Sequence, residues 1–265
     1  MDAILSTVDP MAVANLVLSN CPQLHVPTAI QNLKSLAMIK IYNSTIASWD
    51  AQAALHQANH PQLQVIYLVR VNGSGIPEGL LTDDLPRSLW DIEFCVTNIS
   101  TFPPTLTKAW EHVGIVTHYM NPEMNELPEV LVTLPNLFTF LLGSTNITTI
   151  RDGLFDSLEF VTIGTYRSPI DRLPDNIGRI DQLQALFFAD TKIATIPTSW
   201  MNIAVPAWKA NGSVILYASG SPLCESNEVQ HLTKPMWLEI SCEVLPPEQY
   251  SYPLHEEDTW RSMNQ

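Results

Sequence analysis

Apolar residues recur along this chain in a fixed frame. The stretch LQALFFADTKIATIP places Leu183, Leu186, Phe188, Ile193 and Ile196 at positions 1, 4, 6, 11 and 14 of one template. LWDIEFCVTNISTFP repeats it with Leu89, Ile92, Phe94, Ile99 and Phe102, and a third unit carries Leu36, Ile39, Ile41, Ile46 and Trp49. The fourteenth positions fall at Val26, Trp49, Ile76, Phe102, Leu127, Ile150, Leu173 and Ile196, spaced by 23, 27, 26, 25, 23, 23 and 23 residues. Such a period marks stacked units, none of which can bury its apolar face alone. The alternation at positions 4 and 6 predicts a short strand over positions 3 to 7.

Each unit also has an apolar residue four places beyond its fourteenth position: Ile30, Ala53, Leu80, Leu106, Leu131, Leu154, Ile177 and Trp200. A helical or irregular return turn would place them against the same core. Proline follows the fourteenth position six times, at Pro27, Pro77, Pro103, Pro128, Pro174 and Pro197. There it removes no ladder hydrogen bond and presets the turn, which accounts for much of the 20 prolines. The ninth position reads Cys21, Ser44, Val71, Thr97, Pro122, Thr145, Ser168 and Thr191. Ser and Thr can cap turn backbone there; Val71 and Pro122 cannot. In this frame the unit ending at Leu127 is degenerate, with Gly114, Thr117 and Tyr119 at core positions. Irregular geometry is therefore expected between about 110 and 124.

The template LxxLxLxxNxLxxLP resembles the leucine-rich repeat, over roughly Val13 to Leu223. The resemblance implies an α/β solenoid of eight or nine repeats, with a parallel sheet on the concave side and short helices or turns on the convex side. It implies repeats over 1–205, a last partial repeat and cap over 206–245, and an acidic tail over 246–265. The wording NLVLSNCPQLHVP, IKIYNSTIASWD, NHPQLQVIYLVRVN, WDIEFCVTNISTFP and GSPLC, with the closing YPLHEEDTWRSMNQ, is similar to an uncharacterised family of oomycete leucine-rich-repeat proteins. That likeness implies a membrane context and no activity. Repeat-like sequence begins by Val13, and solenoids need caps. The chain is therefore expected to be part of a longer polypeptide, unless 1–11 form a cap.

Composition narrows the partners. A net charge of -14 argues against nucleic acid and anionic membrane surfaces. No apolar run reaches the roughly 18 residues of a spanning helix, and 11–19 lacks the basic start of a signal peptide. Cys224 and Cys242 stand 18 apart, a disulfide pair or two free buried thiols. Cys21 reads as structural, and Cys95 faces out of the sheet at position 7.

Several groupings could carry chemistry. His56 and His60 have helical metal-ligand spacing, but no third ligand stands out, so surface histidines before a strand are expected. Asp91 and Glu93 share one strand and one face, as an acid/base pair would. A solenoid hydrolase using them is one alternative; a polar binding patch is the reading preferred, because no third acid or Arg cluster joins them. No nucleophile elbow, P-loop, dinucleotide fingerprint or kinase motif occurs. No cofactor is implied.

On the concave face the leucine-rich-repeat frame places Lys40, Tyr67, Glu93, His118, Leu141, Phe187 and Tyr217 at position 5, and Tyr42, Val69 and Tyr166 at position 7. Aromatic and apolar side chains at such sites point to a protein or peptide ligand, although they could pack along the sheet instead. The expected function is a non-catalytic recognition domain of a membrane-associated or secreted protein, with a cytoplasmic scaffold as the alternative. N-glycan acceptor patterns occur at Asn43, Asn72, Asn98, Asn146 and Asn211. Asn72, Asn98 and Asn146 share position 10, a rim site, which favours a secreted or lumenal setting. Asn43, at position 8, lies nearer the concave face.

Overall fold

The computed structural model describes residues 5–153, 161–178, 182–203, 212–225, 233–246 and 252–257. Leu154, Phe160, Asn211 and Asp258 lie outside them. Eleven strands are described: β1 (Asn15–Ser19), β2 (Leu24–His25), β3 (Met38–Ser48), β4 (Val65–Asn72), β5 (Asp91–Thr97), β6 (Ile115–Tyr119), β7 (Thr139–Gly143), β8 (Thr162–Tyr166), β9 (Ala185–Phe187), β10 (Val214–Tyr217) and β11 (Leu238–Ser241). Their order in the sheet follows the sequence, with β2 set aside on the flank of β3. Every pairing is parallel, so each unit adds one strand beside the last.

Register follows the apolar frame. Ile39 pairs with Ile66 and Ile41 with Leu68, and the next step joins Ile66 to Ile92 and Leu68 to Phe94. These positions are fully buried, as are the return residues Ile30, Ala53, Leu80, Leu106, Leu131 and Trp200. The proline carbonyls close the return turns. Pro27, Pro77, Pro103, Pro128 and Pro197 each accept the N–H three residues on, at 2.9 to 3.1 Å. Single 3-10 turns follow at Thr28–Asn32, Ala51–Ala53, Glu78–Leu80, Leu131–Thr133 and Thr198–Asn202, with one α-turn at Leu106–Ala109.

At the eighth position of eight units the backbone is left-handed, just past β1, β6, β7 and β8, three residues past β9, and inside the longer β3, β4 and β5. Asn20, Asn43, Arg70, Val96, Met120, Ser144, Arg167 and Asp190 have φ between 45° and 57°. None is glycine, so each turn carries backbone strain. Buried hydroxyl side chains at the ninth position answer it with hydrogen bonds. Ser44 Oγ donates to Tyr42 O at 2.8 Å and accepts Cys21 N–H at 3.0 Å. Thr145 and Ser168 hydroxyls meet at 2.9 Å, and Thr191 Oγ1 donates to Phe188 O at 2.8 Å.

The unit ending at Leu127 corrects the sequence frame. Ile92 pairs with Val116 and Phe94 with His118, so β6 is a regular strand whose inward residues are Val116 and His118. Thr117 and Tyr119 face the other way. The frame has slipped by one residue, and the ninth position is Asn121, fully buried, not Pro122. Its amide donates to Ile99 O. The extra residue is taken up after Met120.

At the far end Cys224 and Cys242 are joined by a disulfide that ties the turn after β10 to the residue after β11. Among the described residues no helix is long and apolar enough to cross a membrane.

Candidate functional site

The concave face is built from alternate residues of β3 to β10, and its two rows behave differently. Position 7 is closed. Tyr42, Val69, Cys95, Tyr119, Tyr166 and Ala189 form a second buried cluster, joined by Leu141 from position 5. Tyr166 is only 1% exposed. It lies flat because Gly143 leaves room on the next strand, where an added Cβ would sit 2.2 Å from the Tyr166 ring. Tyr119 stacks on it with centroids 5.7 Å apart. Of the position 7 residues read as contacts, Tyr42, Val69 and Tyr166 are thus packed along the sheet, the cross-strand alternative.

Position 5 is more open. Lys40, Tyr67, Glu93, Phe187 and Tyr217 are partly exposed. Phe187 and Tyr217 stack at 4.8 Å, and Gly164 gives way beneath Phe187, where a Cβ would meet its carbonyl at 2.2 Å.

His118 does not belong to this face. It is fully buried on the opposite side of β6, stacked on Phe94 at 5.1 Å and 11° and edge-on to Phe102 at 6.1 Å. Its Nε2–H donates to Ile99 O at 2.9 Å, and burial lowers its pKa to about 4, so it sits in the core as a neutral ring. Thr117 takes the concave place. His60 is likewise buried, not a surface residue: Nε2–H donates to Ile30 O and Nδ1 accepts the His56 N–H. With both nitrogens engaged in backbone bonds it has no lone pair left for a metal, and among the described residues no cluster of metal-ligating side chains forms.

Asp91 and Glu93 do share the concave face. Register places Val65 and Ile115 beside Asp91, and Tyr67 and Thr117 beside Glu93. Neither flanking strand offers a third acid or a cation at those places. Burial raises Asp91 to about 6 and, with the charge of Asp91 adding, Glu93 to about 8. Asp91 Oδ1 has no hydrogen-bond partner. Tyr67 and the Cys95 thiol are each pushed up to about 12, by burial first and neighbouring carboxylate charge second.

The main unforeseen feature is what lies on this face. Leu245, Tyr252 and Leu254 pack against the position 7 cluster. Residues 254–257 form a helical turn. Tyr252 meets Tyr67 edge-on at 5.6 Å, and Lys40 Nζ lies 5.3 Å from the Tyr252 ring and 5.6 Å from that of Tyr42. Lys40 pairs with Glu257, which also accepts a hydrogen bond from the Tyr252 hydroxyl. Burial pushes the Glu257 carboxyl up, but those two donors and the Lys40 charge outweigh it and hold the pKa below its usual value. Lys40 and Glu257 are 217 residues apart, and nothing in the repeat period could have paired them.

The rim asparagines are exposed and share turn chemistry. Asn98 Oδ1 accepts Gly73 N–H at 2.9 Å, and Asn146 Nδ2 donates to Pro122 O at 2.6 Å. Asn43 Nδ2 donates to Asn20 Oδ1 at 2.7 Å.

This geometry is that of a leucine-rich-repeat solenoid. No family model and no curated protein matches the chain. Among solved structures it is similar to the octameric complex of Latrophilin 3, Unc5D and FLRT2 (LRR), with TM-score 0.58, 15% identity, and 91% of this chain and 73% of that chain covered. It is also similar to leucine-rich repeat proteins from Bacteroides eggerthii (TM-score 0.52, 18% identity, 81% and 38% covered) and Bacteroides thetaiotaomicron (0.51, 20%, 84% and 27%). The chain thus spans well under half of those two bacterial chains.

Proposed function

We propose that the concave sheet is a non-catalytic recognition surface for a protein or peptide. One observation carries this reading: the partly exposed row at position 5, which runs from Lys40 and Tyr67 to Phe187 and Tyr217, already holds a peptide segment of the chain itself at its Lys40 and Tyr67 end. Aromatic side chains present large rigid contact area at small entropic cost and are frequent anchors in interfaces. The complex named above, in which a leucine-rich-repeat chain is assembled with two other proteins, is in keeping with such a role. The test is a displayed random-peptide library selected on the chain. Binders should lose capture by the Tyr67→Ser/Phe187→Ser/Tyr217→Ser chain while its unfolding stays cooperative; binders indifferent to all three would overturn the reading.

The setting proposed is secreted or membrane-associated, as the likeness to oomycete proteins and the exposed acceptors Asn72, Asn98 and Asn146 suggest. Expression through a secretory host should give a glycosidase-sensitive mass increase at those residues. An unmodified chain would favour the cytoplasmic scaffold.

A further inference from the structure

Segment 252–257 makes three kinds of contact at one end of the concave face, and each has a distinct chemistry. The Tyr252 ring is held edge-on by Tyr67 and capped by the Lys40 ammonium. The Glu257 carboxylate pairs with that same ammonium and takes the Tyr252 hydroxyl proton in a hydrogen bond. Leu254 adds apolar contact with the cluster beneath. The helical turn over 254–257 brings ring and carboxylate to one cation. Along positions 3, 5 and 7 of β1 to β10, Lys40 is the sole cationic residue; apart from the Asn15 amide the face is otherwise apolar, hydroxylic or acidic. An anionic group can therefore be received beside Lys40 at this end of the sheet.

We propose that Lys40, Tyr42 and Tyr67 form a docking subsite for a peptide carrying an aromatic residue and, five positions later, a carboxylate, and that segment 252–257 occupies it as a displaceable internal stand-in. The inference rests on the recognition role above and names its partner class. A tethered segment competes at an effective concentration on the order of millimolar, so an outside peptide of equal contact chemistry binds weakly until the stand-in is weakened. Part of the affinity comes from one partly exposed ion pair, so it falls with added salt.

The experiment uses a labelled synthetic peptide of residues 250–259 and the full chain. The Tyr252→Ala/Glu257→Ala chain should bind the peptide at least about ten-fold more tightly than the unaltered chain, as release of a tethered competitor requires. Lys40→Glu added to that chain should abolish binding; Lys40→Arg should retain it. Cooperative melting of each variant guards against misfolding. Equal binding to the unaltered and double-variant chains overturns the proposal. So does concentration-dependent dimerisation of the unaltered chain that vanishes in the double variant, since the occupant would then be a second copy. If the peptide fails to bind the double variant while library binders still depend on Tyr67, the aromatic–carboxylate inference falls and the recognition surface stands. If no library binder depends on the concave residues, both fall.

Discussion

On β5 two neighbouring residues face opposite sides of the sheet and are covered by different means. Phe94 points inward, fully buried, with Trp110 stacked at 6.3 Å and His118 at 5.1 Å, each drawn from another turn of the same solenoid. Glu93 points to the concave side, is only half-buried, and stands beside Tyr67, which the segment from the far end of the chain touches through Tyr252. The inner face is closed by repetition: every unit supplies the lid for the one before. The concave face packs along position 7, stays partly open along position 5, and is covered at one end by a single added segment. Loss of a repeat contact should therefore cost stability, whereas loss of the added element should cost little stability and change access instead.

The largest effect that tests this contrast is Phe94→Ala. It should destabilise by about 3–5 kcal/mol, as large-to-small changes in close-packed cores do, whereas Leu254→Ala should cost under about 1 kcal/mol. Chemical denaturation of both measures it, and comparable losses would mean that the covering segment is integral to the fold.

A second test uses pH, because the two faces hold titratable groups of opposite habit. His118 is kept neutral, its pKa lowered to about 4 from 6.5, so stability is full above 6.5 and falls as pH drops toward 4. Glu93 is raised to about 8 from 4.5 and Asp91 to about 6 from 3.8, so their contribution is full below about 4 and is lost as pH rises through those higher values. Tyr67, Cys95, Arg70 and Tyr252 are the other titratable groups that bear on this patch. Between 4 and 6.5 the two faces oppose each other; above 6.5 the concave carboxyls act alone. Glu93→Gln should flatten the loss between 6.5 and 8. His118→Leu should lessen the loss on acidification, leaving buried His60, whose pKa burial also lowers, and Glu257 to oppose the carboxyls. Melting temperature against pH reads both, and an unchanged slope in Glu93→Gln would assign the loss elsewhere.

The smallest effect concerns the turns that separate the faces. Val96 is β-branched yet has φ 55°, where Asn20 and Asn43 stand in two other units. Asn tolerates this region better. Val96→Asn should add up to about 1 kcal/mol in equilibrium unfolding, less whatever Val96 contributes by packing at the edge of the concave cluster.

Much of this was legible in the chain. Positions 4, 6 and 14 locate the strands and return turns because apolar periodicity reports burial directly. The unit around His118 misled because a histidine at position 6 looks polar, though its flat ring stacks as an aromatic and its one N–H finds Ile99 O. Asn121 was the overlooked clue: aligned at position nine, it shifts the frame by one and turns His118 inward. Position 7 was read as contact surface because sequence cannot show that Gly143 lets Tyr166 lie flat. The covering segment was invisible for another reason. Its pairing with Lys40 is neither local nor periodic.

The left-handed residue at the eighth position has a consequence for how the array can change length. Spacing between units varies, yet the backward twist always stands at the eighth position, one residue past positions 3 to 7, and the extra residue of the fifth unit falls after it. Positions 3 to 7, upstream of the twist, keep register in every unit; downstream of it, among the described residues, strand pairing persists only between β2, β3, β4 and β5, and loop length is free to vary. An insertion after Met120 is absorbed as a longer loop, whereas one before it would exchange the two sides of the strand, bringing His118 out and Tyr119 in. The chain thus carries a ratchet in each unit, which lets the outer loops drift in length while the order of side chains on the sheet is kept.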